Sequence, residues 1–257
     1  MNRKLFTAAF CSILFATSAS AAGPVSTTSV KVSDVAFQVF DLTPADGIAA
    51  GYTIRDTYTL LEATLSRSGW DGNMYGSARD RPSSASTIEL EYRNEYASAS
   101  WNGALGGLSL SVTSSQSIFT GRVDASQSML VTLAPHTVFV FSGLVAQSGT
   151  NPATQGWSYR LTSDFRAKIY DFGDPSHELL FERILGGDNV PDYAQTDPFS
   201  LTYVNDTDLP RELSVRMDTY AYAHAPIVPG VPEPSTYLML GAGLLGICWR
   251  SRRGQPA

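Results

Sequence analysis

From Thr27 onward, polar and apolar residues alternate with a period of two. Ile88, Leu90 and Tyr92 share one face, and Glu89, Glu91 and Arg93 the other. The same alternation runs through Ser109-Leu-Ser-Val112-Thr, Phe165-Arg-Ala167-Lys-Ile169, Phe199-Ser-Leu201-Thr-Tyr203 and Leu213-Ser-Val215-Arg-Met217-Asp. A period of two predicts strands with one face in the core and one in water. Val35-Ala-Phe37-Gln-Val39-Phe40 and Thr137-Val-Phe-Val-Phe141 are more continuously apolar, as inner strands are. Turn clusters separate the runs: Thr43-Pro-Ala-Asp46-Gly47, Gly69-Trp-Asp71-Gly72-Asn73, Gly149-Thr-Asn-Pro152, Gly186-Gly-Asp-Asn189 and Asn205-Asp-Thr-Asp208-Leu-Pro210. Only residues 58–65 and 178–185 fit a short helix, and both also fit a strand. Regularly spaced short strands predict an all-β fold, an antiparallel, jelly-roll-like β-sandwich. No linker interrupts it, so residues 23–225 read as one ectodomain.

Both ends depart from this pattern. Met1-Asn-Arg3-Lys4, an apolar run over residues 5–16 and Ala19-Ser-Ala21-Ala22 predict a secretory signal peptide over residues 1–22. Ala225-Pro-Ile-Val-Pro-Gly230 is a Pro/Gly spacer, its linker segment being residues 226–230. Residues 231–257 then have three parts. Val231-Pro232-Glu233-Pro234-Ser235-Thr236 begins extended, because each proline fixes its own φ and pushes the preceding residue out of the helical region. Residues 237–249 carry no charge and are flanked by Tyr237 and Trp249, as interfacial aromatics flank a membrane segment. Arg250, Arg252 and Arg253 follow as a stop that stays cytoplasmic under the positive-inside rule. As a helix the thirteen uncharged residues are about 20 Å long against a hydrocarbon core of roughly 30 Å. The expected anchor is a short transmembrane sorting helix.

This order of parts resembles the PEP-CTERM sorting signal of exosortase substrates, and the likeness covers residues 231–253. It implies export across a Gram-negative inner membrane through the secretion machinery and signal peptidase. It further implies a transient hold in that membrane and recognition of Pro232-Glu233-Pro234 by an exosortase, a membrane-embedded cysteine transpeptidase. Cleavage and transfer to the cell surface or matrix would follow, with a link to exopolysaccharide and biofilm. Phe40-Asp41-Leu-Thr-Pro44-Ala-Asp46-Gly47-Ile-Ala49, Leu133-Ala-Pro-His-Thr137 and Phe199-Ser-Leu-Thr-Tyr203 are similar to stretches in one group of PEP-CTERM ectodomains of unknown activity. This chain has Ala50 where that group has proline.

Charge narrows the partners. The chain carries a net −6. Five of its 18 basic residues lie in the end segments, whereas 23 of its 24 acids lie in the middle, which leaves that middle ten charges negative. An acidic surface excludes nucleic acid as an expected partner. Cys11 and Cys248 both fall in the end segments, so the middle holds no disulfide and no thiolate metal site.

Catalytic signatures are absent from the sequence. His136, His177 and His224 show no paired metal spacing, and no Gly-x-Ser-x-Gly elbow or phosphate loop occurs. Asp41 with Asp46, and Asp206 with Asp208, could supply oxygen ligands to Ca²⁺, though acids in turns mostly make Asx turns. Trp70, Trp101, Trp157, Tyr75, Tyr159, Tyr193, Tyr220 and Tyr222 could form a sugar-stacking surface, with Trp70 and Trp157, beside glycine-rich turns, the best placed, though a β-sandwich mostly uses such aromatics in its core and as cross-strand pairs. The expectation is a non-enzymatic exported surface or matrix protein without a cofactor. A carbohydrate-binding β-sandwich module is the alternative, and a secreted glycoside hydrolase a third.

Overall fold

The computed structural model describes residues 25–67, 74–115, 119–151, 160–174, 176–188 and 190–224. The end segments, and with them the sorting motif, the spacer, Trp70 and Trp157, lie outside these residues. Among the described residues there are twelve strands: β1 (Ser26–Asp41), β2 (Tyr52–Arg67), β3 (Met74–Asp80), β4 (Ser86–Tyr92), β5 (Glu95–Trp101), β6 (Leu108–Ser114), β7 (Phe119–Leu133), β8 (Thr137–Thr150), β9 (Arg160–Asp171), β10 (Glu178–Asp188), β11 (Tyr193–Asn205) and β12 (Arg211–His224). They form two six-stranded sheets, β11-β8-β1-β6-β5-β4 and β10-β9-β12-β7-β2-β3. Every pairing is antiparallel. The sequence-based expectation of an all-β antiparallel sandwich holds. Both ambiguous stretches are strands, within β2 and β10.

Alternation explains the core. Inward residues of the first sheet include Val30, Leu110, Phe139, Phe141 and Phe199; those of the second include Leu61, Val123, Phe165, Val215 and Met217. Phe199 of one sheet lies 5.0 Å, ring to ring, from Phe165 of the other. Burying a side chain of this size stabilises by roughly 1.5–3 kcal/mol, which lets a domain without disulfides hold together.

One strand changes face. In β1 the even-numbered residues Thr28, Val30 and Val32 are buried, whereas beyond Asp34 the odd-numbered Val35, Phe37 and Val39 pack against the core. Asp34 has φ of 54°, and the pairing with β8 shifts between Ser33 and Ala36. A bulge adds one unpaired residue and so swaps the faces, which turns two runs of opposite phase into one long strand. Gln127 enters the core with both ends of its amide paired. Gln127 Oε1 accepts the Gly106 amide at 2.7 Å, and Gln127 Nε2 donates to Thr59 Oγ1 at 3.3 Å. This pins the turn after β5 between the sheets. Gly106 is required there, since its φ is +66° and a Cβ would sit 2.0 Å from Val35 Cγ2.

The connections define two poles. Asp41, Leu133, Thr137, Asn205 and Arg211 end or begin their strands at one pole, joined by the short turns between β7 and β8 and between β11 and β12. Ser26 pairs with Ser114, and His224 pairs with Thr120 and Arg160. The strand that opens the described chain and the strand that closes it therefore meet at the opposite pole.

Candidate functional site

The predicted acids gather at the pole opposite Ser26 and His224. Asp41 Oδ1 accepts the Thr43 amide at 2.8 Å, and Asp46 Oδ1 accepts the Ile48 amide at 2.7 Å. Thr43 Oγ1 donates a very short bond to Asp46 Oδ2. That bond, followed by the Ile48 amide, holds the Asp46 carboxyl below its usual pKa. These are Asx turns, in which the carboxylate satisfies the backbone of its own loop. Asp208 accepts from His136 Nε2 at 2.9 Å, while Asp206 stays exposed. Among the described residues no three His, Cys, Asp or Glu side chains come together as a metal set.

The stretches Phe40–Ala49 and Leu133–Thr137 meet here, and β11 brings Asn205, two residues beyond Phe199–Tyr203, to the same pole. The Leu42 amide donates to the His136 carbonyl at 2.8 Å. Asn205 Nδ2 donates to the Ala134 and Leu209 carbonyls at 2.8 and 2.9 Å. Asn205 is 1% exposed, so the Asn205-Asp-Thr207 triplet holds a turn rather than offering its amide. Tyr203 Oη donates to Asp171 Oδ2 at 2.5 Å across the two sheets. Burial, then this bond, pushes the phenol well above its usual pKa. The pole is a lock of self-satisfied loops, with few groups left for a ligand.

A more open arrangement lies on the outer face of the second sheet, where β9, β12 and β7 run side by side. Each carries opposite charges two residues apart: Asp164-Phe165-Arg166, Arg216-Met217-Asp218 and Arg122-Val123-Asp124. The middle residue of each triplet is fully buried, so both charged neighbours point outward by the period of the strand. Arg122 Nε lies 2.7 Å from Asp124, Arg166 Nη2 3.0 Å from Asp164, and Arg216 Nη2 2.7 Å from Asp218. Register adds cross-strand neighbours. Asp218 stands opposite Arg166, and Tyr220 stands between Asp164 and Asp124. Glu62 of β2 faces Asp124, and Glu182 of β10 pairs with Arg166 Nε at 2.6 Å.

All of these charged side chains except Glu182, together with Tyr220, wall a basin of about 460 Å³ that Leu60, Ser126 and Thr219 also line. The Arg122 guanidinium lies 5.2 Å from the Tyr220 ring centroid, a cation–π distance. Tyr222 stands parallel to Tyr220 at 6.2 Å. Asp164 is only 18% exposed at its side chain, and burial raises its pKa against the pull of Arg166. The Tyr220 phenol is raised for the same first reason. Chemically the basin is a field of adjacent donors and acceptors with spare capacity, since a guanidinium has five N–H groups.

Of these residues, sequence reasoning named only Tyr220 and Tyr222 as site candidates, among the aromatics of a sugar-stacking surface. The three charge triplets were legible as a repeated signal, but only the sheet order brings them together. Of the tryptophans, Trp101 is a core residue whose Nε1 donates to the Ala104 carbonyl at 2.6 Å. Among the described residues no helix is long and apolar enough to cross a membrane.

Comparison with curated proteins and with solved structures gives no significant match. Residues 230–253 match the PEP-CTERM protein-sorting motif. The spacer after β12 thus leads straight into a sorting signal: the chain is an exported protein that carries a PEP-CTERM motif, has an exosortase as its processing partner and is sorted to the cell surface or extracellular space.

Proposed function

We propose that this chain is a non-enzymatic component of the cell surface or extracellular matrix of a Gram-negative cell, associated with exopolysaccharide and biofilm. The leader over residues 1–22 directs it to the secretion machinery and is removed by signal peptidase. Residues 237–249 then hold it in the inner membrane, with Arg250, Arg252 and Arg253 inside. Exosortase cuts near Pro232-Glu233-Pro234 and frees the sandwich to join the matrix. The observation that carries this reading is the sorting motif at residues 230–253, placed just after the last strand. Ser26 and His224, at the ends of β1 and β12, lie at one pole, so a sandwich tethered there keeps both outer faces and its far pole open.

A second reading, a polysaccharide-binding module, is favoured by the basin on the second sheet. Its arginines and carboxylates neutralise one another in pairs, an arrangement suited to binding more than to proton transfer.

The test is the intact mass and C-terminus of the protein recovered outside the cell, with Pro232→Ala/Pro234→Ala beside it. A chain ending near Glu233, with the double variant uncut and membrane-held, is the expected result. A full-length extracellular chain retaining residues 250–257 sinks the processing. Release of reducing sugar from matrix polysaccharide by the purified protein sinks the non-enzymatic part.

A further inference from the structure

We infer that the basin on the outer face of β9, β12 and β7 binds a neutral, hydroxyl-rich saccharide, through Arg166, Arg216, Asp124, Asp218, Tyr220 and Ser126. The inference rests on the reading of the chain as an exported surface or matrix component, and it names the site and ligand chemistry that the reading lacks.

Shape comes first. A volume of about 460 Å³ lies within the roughly 300–1,000 Å³ of small-ligand sites. The basin lies open on the outer face of the sheet, lined by residues of β2, β7, β9 and β12, so a polymer can enter it without being threaded. Ser126 is short and outward-facing in β7, opposite Asp218 of β12 and Leu60 of β2. It leaves a low floor between the longer arginine and tyrosine side chains.

Charge selects the class of ligand. Arg122, Arg166 and Arg216 each have a carboxylate of their own strand within 3.0 Å. Glu62 makes the fourth acid in the lining, so the basin has four carboxylates to three guanidinium groups. A polyanion gains no net attraction from such a field. A lipid or apolar peptide gains little either, because Leu60 is the one large aliphatic side chain in the lining, and tight protein contacts need buried apolar or aromatic anchors.

A sugar hydroxyl both donates and accepts. Side by side, an Arg N–H and an Asp oxygen on one strand meet both needs of neighbouring hydroxyls, and bonds with one charged partner are the stronger kind. The in-strand pairs already hold these side chains in place, so less side-chain freedom is lost on binding. Tyr220, between Asp164 and Asp124 and braced by Arg122 and Tyr222, supplies a rigid wall with a hydroxyl at its tip.

The test is affinity electrophoresis of the protein recovered outside the cell. Gels contain hydroxyethyl cellulose, galactomannan or dextran as neutral probes, and polygalacturonate as an anionic one. Retardation by at least one neutral polymer is expected. Ser126→Trp, which fills the floor from an outward position, weakens it at least tenfold, and so does Arg216→Ala. Ser111→Trp on the outer face of the first sheet leaves it unchanged. Circular dichroism and thermal midpoints establish that each variant is folded, and Arg216→Ala carries the test if Ser126→Trp is not. Lack of retardation by every neutral polymer overturns the inference, as does retardation by polygalacturonate alone. Equal retardation of wild type, Ser126→Trp and Arg216→Ala overturns the site. Binding of an acidic or basic peptide at the basin, with none of the neutral polymers, overturns the ligand class. The C-terminal mass of the same sample separates the two readings: a cut chain that binds no neutral polymer sinks the basin alone, and an uncut chain that binds sinks the processing alone.

Discussion

The two outer faces of this sandwich obey the same alternation and carry different chemistry. On the first sheet the outward residues of β1, β8 and β11 are mainly small and hydroxylated. Ser29 Oγ lies 2.7 Å from Ser148 Oγ, and Lys31 is the one charge in a depression of about 360 Å³ that also touches Ala146 and Thr196. On the second sheet the equivalent positions are arginines, carboxylates and tyrosines. Serine and threonine suffice to make strands of one sheet, so the charge ladder of the other is not needed for strand formation. Inward residues set the fold, and outward ones are free to differ; a face that departs so far from the bland one is where binding is to be sought.

The largest effect comes from what the two faces share. Phe165 is fully buried in the middle of the Asp164–Arg166 triplet and touches the rings of Phe181 and Phe199. Phe165→Ala should cost about 3–5 kcal/mol, the range for large aromatic-to-alanine changes in a core. Urea unfolding followed by circular dichroism measures it. A loss under about 1 kcal/mol would mean that the sheets do not pack as described.

A smaller effect, of opposite sign in two regions, concerns acids. Asp164 in the basin has its pKa raised by burial, whereas Asp46 at the far pole has its pKa lowered by Thr43 and the Ile48 amide. A raised carboxyl binds its proton more tightly folded than unfolded, so its stabilising contribution is complete below the ordinary pKa and is lost as pH rises through the folded one. A lowered carboxylate contributes above the ordinary pKa, and its contribution is lost as pH falls through the folded one. Relative to Asp164→Asn, the wild type should therefore lose stability as pH rises from acid towards neutral. Relative to Asp46→Asn, it should lose stability as pH falls below about 4, near the unperturbed Asp value. Urea midpoints from pH 3 to 7 decide it, and parallel curves for the two variants would erase the contrast between basin and pole.

Much of this was legible in the sequence, for physical reasons. The period of two placed Leu110, Phe165, Leu201 and Val215 on inward faces correctly, because one residue of slip would expose them all. The tail was legible because proline geometry, apolar length and basic stop are local properties. The bulge at Asp34 was not, since a single residue at positive φ leaves little trace in a hydrophobic pattern. The basin was missed for a different reason. Arg122, Arg166 and Arg216 are far apart in the chain, and their strands neighbour one another only through non-local pairings of β12 with β7 and β9. Sequence order gives the spacing within a strand but not which strands are neighbours.

The smallest effect is a deliberate near-zero. Ser148→Ala removes the hydroxyl pair with Ser29 on the first sheet's outer face without touching an inward residue. Both partners are outward and reachable by water, so the freed Ser29 hydroxyl regains its hydrogen bond from solvent. The change in stability should stay within about 0.5 kcal/mol, as for surface substitutions away from special features, and retardation by neutral polysaccharide should be unaltered. Thermal unfolding and the same affinity gels measure both. A change in retardation would move the binding surface from the second sheet to the first, and the charge ladder would then be no more than a solvated, self-paired face.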